Sequence, residues 1–503
     1  MPDATTSGGI LLVLAIVLPV VGILLSLIAG GRQVERIALV VLPSNLIVAS
    51  AIFADLWRSG RQLAYIVGDW QPPLGITLRA DGLSAAMIVT TAVVICVIGV
   101  FAHADFDCRA EPFETRTSFV FWIMLMAIGC AMNLIFLGGD LFTLYVALEL
   151  LTFAAVPLVC LDGRAETIQA ALRYLLFALL GSILYLVGTA LLYGSYATLD
   201  IALLSQRVRM ETATLVAAVL MTVGLFAKTA LFPLHLWLPP AHAGAPAAAS
   251  AVLSAVVVKG SFFLVVRLWF GVMPGLLGFA GAQLVGVLGA GAILFGSIVA
   301  LRQNRLKLLI AYSTVAQIGY LFLMFPLALD PVSETLHVNG ALAGGMLLAM
   351  SHATAKAAMF MAAGLIYAAL GHDRIAELGG AARALPMTVF AFAIGGVCLI
   401  GLPPSAGFLA KWLLLEEAIA TGQWPWAMML LVGGLFSGAY VFVVVSHALV
   451  SPQEPLKLRA AVPKYQEAAA LTLALVSLLL GFVAFGPIDV LQVGPGAAME
   501  VLQ

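Results

Sequence analysis

The sequence predicts an all-α polytopic membrane protein of about fourteen transmembrane helices, and three observations predict it. Of 503 residues, 63% are hydrophobic and only 10% charged. Soluble domains carry roughly 25% charge, so a large water-facing surface and a soluble enzyme are excluded. Apolar stretches long enough for a span of ~20 residues recur along the whole length. Two of them are interrupted by prolines and glycines beside a lysine, the sequence pointer to a transporter built from inverted repeats.

In order, the expected spans are 9–30, 36–56, 82–104, 117–138, 140–161, 168–193, 212–240, 246–270, 276–301, 307–328, 339–369, 385–416, 426–450 and 467–490. The first has no preceding Lys or Arg and reads as a retained helix rather than a signal segment. Between the second and third, the polar connection Trp57 to Asp81 has alternation at Ile76, Thr77, Leu78 and Arg79. It predicts a short strand before Asp81-Gly82 opens the third helix. Gly286, Gly289, Gly291 and Gly296 give the ninth span the small-residue spacing of closely packed membrane helices. Loops after odd-numbered spans hold thirteen Lys and Arg, among them Arg32, Arg109, Arg305 and Lys457, against five on the opposite side. Positive loops stay in the cytoplasm, which places both termini outside it.

Net charge is −1, with 24 Lys+Arg and 25 Asp+Glu, so no basic field for nucleic acid exists. Cys96, Cys108, Cys130, Cys160 and Cys398 are widely spaced, without metal-ligand spacing, and read as packing residues. No Lys follows a glycine-rich phosphate loop, so ATP hydrolysis does not drive the chain. No metal and no cofactor is expected.

The two basic residues divide the labour. Fifteen of seventeen Arg lie in loops or near span ends, with Arg173 and Arg267 slightly deeper, whereas Lys228, Lys259, Lys356 and Lys411, four of seven Lys, lie inside apolar spans. Arg stays charged in proteins, while burial favours the neutral form of a Lys, which can then gain and lose a proton. The bland reading is snorkelling to the interface, open only near helix ends. Lys228 and Lys259 are too deep for that, and intramembrane charges mark ion paths. Glu149 is the one carboxylate near the middle of a span; pairing with Lys228 or Lys259 satisfies both charges, as a functional pair or as a fixed link between helices.

Pro233, Pro239 and Pro240 interrupt the seventh span just after Lys228, and Pro403 and Pro404 interrupt the twelfth just before Lys411. Each proline removes an amide donor and frees carbonyls that need a polar, protein-buried partner. His352 and Lys356 share a helix face four residues apart, which suits a relay step; the alternative is a His bonded to backbone and a Lys paired elsewhere. His235 is a possible further member, while His103, His242, His337 and His372 lie nearer loops.

These residues resemble the antiporter-like subunits shared by respiratory complex I, the Mrp-type multisubunit cation/proton antiporters and related membrane-bound hydrogenases. The matching stretches are Asp140 to Leu151, Lys228 to His242, Lys259 to Arg267, Lys307 to Tyr320, Ser351 to Gly364 and Gly395 to Lys411. The resemblance implies helices 1–3 over 1–115, a first inverted five-helix repeat over 116–271, a second over 272–450 and helix 14 over 451–503. It implies that Glu149 pairs with Lys228, that Lys259 links the halves and that Lys411 is the terminal exchange residue. Some members carry His where this chain has Gln317, which leaves Gln317 an accessory without a titrating role. The stretch from Gly68 to Ser84 looks most like the Mrp D-type or hydrogenase-type subunits.

The expected function is therefore proton translocation along Glu149, Lys228, Lys259, His352, Lys356 and Lys411, within a multisubunit complex of a bacterial or archaeal inner membrane. Partners are other membrane subunits, lipid, protons and a possible sodium ion, and no redox site is visible on this chain. A rival reading is a stand-alone secondary transporter of a small solute or cation, with its site at the broken helices. A third is a scaffold that kept the fold and lost the function.

Overall fold

The computed structural model describes residues 4–31, 33–106, 116–274, 276, 278–331, 339–451 and 458–482. Arg32, Cys108, Arg109, His337, Lys457 and the stretch 483–490 of the last expected span lie outside the described residues.

Apolar composition and internal hydrogen bonding leave helices as the means of crossing lipid. The chain opens with α1 (Ile10–Ala29) and α2 (Gln33–Ser59). The connection between the second and third spans forms β1 (Leu63–Ile66) and β2 (Thr77–Ala80), antiparallel with Leu63 opposite Ala80 and Ile66 opposite Thr77. The alternation at 76–79 predicts the second strand; its partner has less polar alternation and carries no such signal. Asp81 then caps α3 (Gly82–Ala102), its carboxylate accepting from the Ser84 amide at 2.9 Å. Next come α4 (Arg116–Leu137), α5 (Leu141–Val159), capped by Asp140, α6 (Ala165–Tyr196) and a short helix α7 (Ile201–Arg207).

The expected seventh span is two pieces, α8 (Thr212–Thr229) and α9 (Leu238–Gly244). The eighth runs as α10 (Ala247–Val252), a π turn (Leu253–Val257), α11 (Val258–Arg267) and a second π turn (Leu268–Val272). Then follow α12 (Phe279–Leu301), α13 (Leu306–Phe322), α14 (Met324–Leu327), α15 (Asn339–Leu370), α16 (Ala381–Ala384), α17 (Pro386–Ile400), α18 (Ala406–Ala420), α19 (Trp424–Leu449) and α20 (Lys464–Leu479).

Among the described residues, twelve helices are long and apolar enough to cross a membrane. The other two expected spans are the pair α17 and α18, 15 residues each, and α20, 16 residues. At 1.5 Å per residue, α20 as described reaches about 24 Å, short of a ~30 Å hydrocarbon layer.

The span 247–272 is buried along its length, whereas α1 and α2 turn most of their apolar surface outward. Small residues set the closest approaches: a Cβ on Gly319 of α13 would lie 2.3 Å from the Gly289 carbonyl of α12. Arg267 is explained by a buried pair, its guanidinium reaching the Asp81 carboxylate and, at 2.7 Å, the Ser84 hydroxyl. That fork fastens α3 to α11.

Candidate functional site

Both helix breaks place a lysine against backbone or side-chain acceptors. At the first, α8 ends at Thr229 and Ala230 adopts the left-handed conformation at φ 61°. The Ala230 and Leu231 amides turn back on the Ala227 and Phe226 carbonyls, and the Trp237 indole donates to the Ala227 carbonyl at 2.9 Å. Pro239 and Pro240 do not themselves break this span; they sit in the first turn of α9, where a missing N–H costs least. At the second break, α17 ends at Ile400, Gly401 turns at φ 85°, and the Ser405 hydroxyl caps α18 by accepting from the Phe408 amide. The freed carbonyls of Leu399 and Ile400 accept the Lys411 ammonium at 2.8 and 3.2 Å. A Cβ at Gly401 would meet Lys411 Cδ at 2.9 Å, so glycine serves both the turn and the lysine.

Lys228, in the last turn of α8, donates to the Thr152 hydroxyl at 2.8 Å and the Leu148 carbonyl at 3.3 Å, with Glu149 Oε1 at 3.5 Å. The ion pair is loosely engaged, and the hydroxyl holds the nearer place. A small cavity beside Lys228, lined also by Thr152, Tyr174, Val257 and Ser261, leaves about 10 Å³ for the centre of a water molecule, the lower limit for one water.

Lys259 follows the first π turn, and its ammonium donates to the Ser254 carbonyl at 2.5 Å. Such a turn shifts the helical register by one residue and leaves carbonyls with spare acceptor capacity. Lys356 on α15 donates to the Ser313 hydroxyl at 2.5 Å and the Ile310 carbonyl at 3.1 Å, both on α13. Lys411 additionally lies 4.0 Å above the Tyr320 ring. Of the four lysines, Lys228 is paired with a carboxylate; Lys259, Lys356 and Lys411 face neutral dipoles.

His352, one turn before Lys356, lies within coulombic reach of Lys259, Lys356, His242 and Lys411, and neither ring nitrogen has a hydrogen-bond partner among the described residues. His235 is buried, stacked on Phe232 and edge-on to Phe295, and makes none of the lysine contacts described above. Gln317 donates from Nε2 to the Leu399 carbonyl, the Ser437 hydroxyl and the Tyr440 phenol at 3.3, 3.2 and 3.4 Å.

Sequence reasoning sets His242 aside as near a loop. The short helix α9 carries it inward, fully buried, against the Phe360 ring and within coulombic reach of Lys356 and Lys259. The signal was its place three residues after Pro239, since a helix restarting there returns the chain into the bundle. Behind it a cavity of about 270 Å³ opens at the ends of the helices, lined in part by Asp105, Asp162, Arg164, Arg305, Lys307 and Tyr367. Burial raises the Asp105 carboxyl above the usual range, although Gln466 hydrogen-bonds to it. The hydroxyl acceptors Thr152 and Ser313 also escape sequence reasoning.

A helical membrane protein with two broken helices and four buried lysines, two of them at the breaks, is the class that fold and site define. Within that class, the sequence pattern described as NADH:quinone oxidoreductase/Mrp antiporter, transmembrane, matches residues 138–437, and the chain belongs to this family. It is 35% identical over 439 residues to the NADH-quinone oxidoreductase subunit N of Desulforudis audaxviator, covering 85% of this chain and 83% of that one. It is 29% identical to a Na(+)/H(+) antiporter subunit of Alkalihalophilus pseudofirmus, covering 86% of each. Its fold matches a chain of the Mrp complex from Dietzia sp. with a TM-score of 0.86 at 23% identity, covering 99% of this chain and 100% of that one. A chain of the membrane-bound sulfane sulfur reductase, an archaeal respiratory membrane complex, matches with a TM-score of 0.85 at 23% identity, covering 97% and 99%.

Proposed function

We propose that this chain is the proton-translocating, antiporter-like subunit of a multisubunit complex in a bacterial or archaeal inner membrane, with both termini outside the cytoplasm. The observation that carries the reading is the graded set of lysine partners among the described residues: a carboxylate at Lys228, then neutral acceptors at Lys259, Lys356 and Lys411. With Glu149 drawn in, the charge on Lys228 is balanced. With Glu149 withdrawn, Thr152 and Leu148 still hold the nitrogen, but its positive charge acts unopposed on its neighbours and disfavours a proton on Lys259. Motion of one carboxylate thus biases a line of sites that exchange protons through His352. The same reading divides the chain into 1–115, repeats 116–271 and 272–450, and 451–503, with one broken helix in each repeat.

The energy for transport comes from partner subunits. Support for that lies in the relatives, each named as a subunit of a larger oxidoreductase or antiporter. The test is ion movement by the whole complex in membrane vesicles carrying Glu149→Ala or Lys228→Ala, with assembly followed by native electrophoresis. Assembled complex without ion movement is expected. Normal movement in both variants, or full transport by the purified chain alone in liposomes, contradicts the reading.

A further inference from the structure

The second half of the lysine line has a chemical discontinuity. Lys356 is held by Ser313 at one end of it and Lys411 by the Leu399 carbonyl at the other, and the residue between them on α13 is Gln317, whose amide does not exchange protons near neutrality. Ser313, Gln317 and Tyr320 fall on one face of α13, four and three residues apart. Facing them on α19 are Gly433, Ser437 and Tyr440. A Cβ on Gly433 would lie 2.2 Å from the Tyr320 oxygen, so a glycine there lets the two polar faces close together. Ser313, Gln317, Ser437 and Tyr440 are all fully buried.

Tyr440 is the seventeenth of the 26 residues of α19, far from the helix ends where tyrosines anchor at the membrane interface. Its phenol is tied to both sides of the gap. On one side is the Ser313 hydroxyl, which accepts from Lys356 and donates its own hydrogen to the Ile310 carbonyl at 2.9 Å. On the other the phenol donates to Ser437 Oγ at 3.1 Å and accepts from Gln317 Nε2 at 3.4 Å. The amide orientation is fixed by the Leu399 carbonyl, which offers lone pairs only and therefore faces Nε2 rather than Oε1. Nε2 shares its two hydrogens among the Leu399 carbonyl and the two hydroxyl oxygens, and the Tyr440 hydroxyl donates along the chain to Ser437.

We propose that Tyr440 is the proton relay between Lys356 and Lys411, with Ser313 passing protons to it and Gln317 as the positioning residue that orders the hydroxyls. The inference rests on the proton-translocation reading above. The Lys356 ammonium gives a proton to Ser313, which turns its own hydrogen from the Ile310 carbonyl to the phenol; Tyr440 and Ser437 each take one proton and release their own, and the neutral Lys411 amine takes the last as it swings off the Leu399 carbonyl toward Ser437. Lys356 ends as an amine, Lys411 as an ammonium, and no hydroxyl changes its net charge. Among the described residues, Tyr320 is the titratable group whose charge bears on the phenol.

The test uses the whole complex in membrane vesicles with three variants. Tyr440→Phe keeps the ring and removes the hydroxyl, and transport should fall at least about tenfold, as when a positioned proton-transfer group is lost. A fluorinated tyrosine at 440 keeps shape and hydroxyl but makes the phenol more acidic, and should shift the pH profile of transport, which a purely structural hydroxyl would not do. Lys411→Ala is the reference. Wild-type rates and profiles for both Tyr440 variants, with Lys411→Ala inactive, overturn the relay and leave translocation standing. Wild-type transport by Lys411→Ala overturns the translocation reading itself. If Tyr440→Phe fails to assemble, the fluorinated protein decides.

Discussion

Replacing Glu149 by Gln keeps the size and most of the hydrogen-bonding capacity of the side chain and removes its charge. The carboxylate oxygen stands 3.5 Å from the Lys228 nitrogen, with side-chain exposures of 17% and 6%. At an effective dielectric of about 20, unit charges at that distance attract by roughly 5 kcal/mol. Fully expressed, that would alter the proton affinity of Lys228 by more than three orders of magnitude; if a third of it survives relaxation and screening, the change is about tenfold. Lys228 keeps Thr152 and Leu148 as acceptors, so the variant should fold and assemble. The assay is formation of a pH gradient by membrane vesicles, with native electrophoresis reporting assembly. Transport should fall by at least about tenfold per assembled complex. A wild-type rate with Gln at 149 would show that the charge of the pair does not control proton movement, and the reasoning would fail.

Lys411→Arg places a group that stays protonated on the Leu399 and Ile400 carbonyls; vesicles should lose pumping while assembly persists. Thr152→Val removes the nearest acceptor of Lys228 and leaves Glu149 competing with the Leu148 carbonyl alone. The pair should close and turnover slow by about tenfold or more, read as the initial rate of ion uptake, with one charge-assisted hydrogen bond worth roughly 1.5–3 kcal/mol. Asp81→Ala leaves the Arg267 guanidinium mostly buried and unpaired. It should cost roughly 3–5 kcal/mol, seen as heat-induced loss of the folded subunit, and Asp81→Ala with Arg267→Met should recover most of it.

Much of this protein is legible because lipid forbids so much. An apolar run of sufficient length has to become a helix, so the spans follow from composition, and Pro233 and the glycines and prolines at 401–404 mark the breaks before any coordinates. Lysines at depth are equally visible, because each one violates the rule that placed the arginines outside. What was not legible is which small polar groups meet them. Thr152, Ser313 and Tyr440 sit in apolar stretches where Ser, Thr and Tyr are ordinary, and their role depends on helix rotation. Nearly uniform hydrophobicity around a buried helix removes the amphipathic stripe that would report that rotation. The π turns at Leu253–Val257 and Leu268–Val272 carry no residue signature, and the first sets the register of Lys259. His242 escapes for a related reason: distance along the chain from a loop says little once a broken helix re-enters the bundle.

Lys259 rests on the Ser254 carbonyl at the first π turn, so it tests the central claim most directly. The measurement is simultaneous recording of the driving activity and of ion movement in vesicles whose complex carries Lys259→Met. Continuous passage through this chain predicts assembled complex whose ion movement is lost. Ion movement per turnover equal to that of the wild type would mean that protons do not pass along this line of lysines.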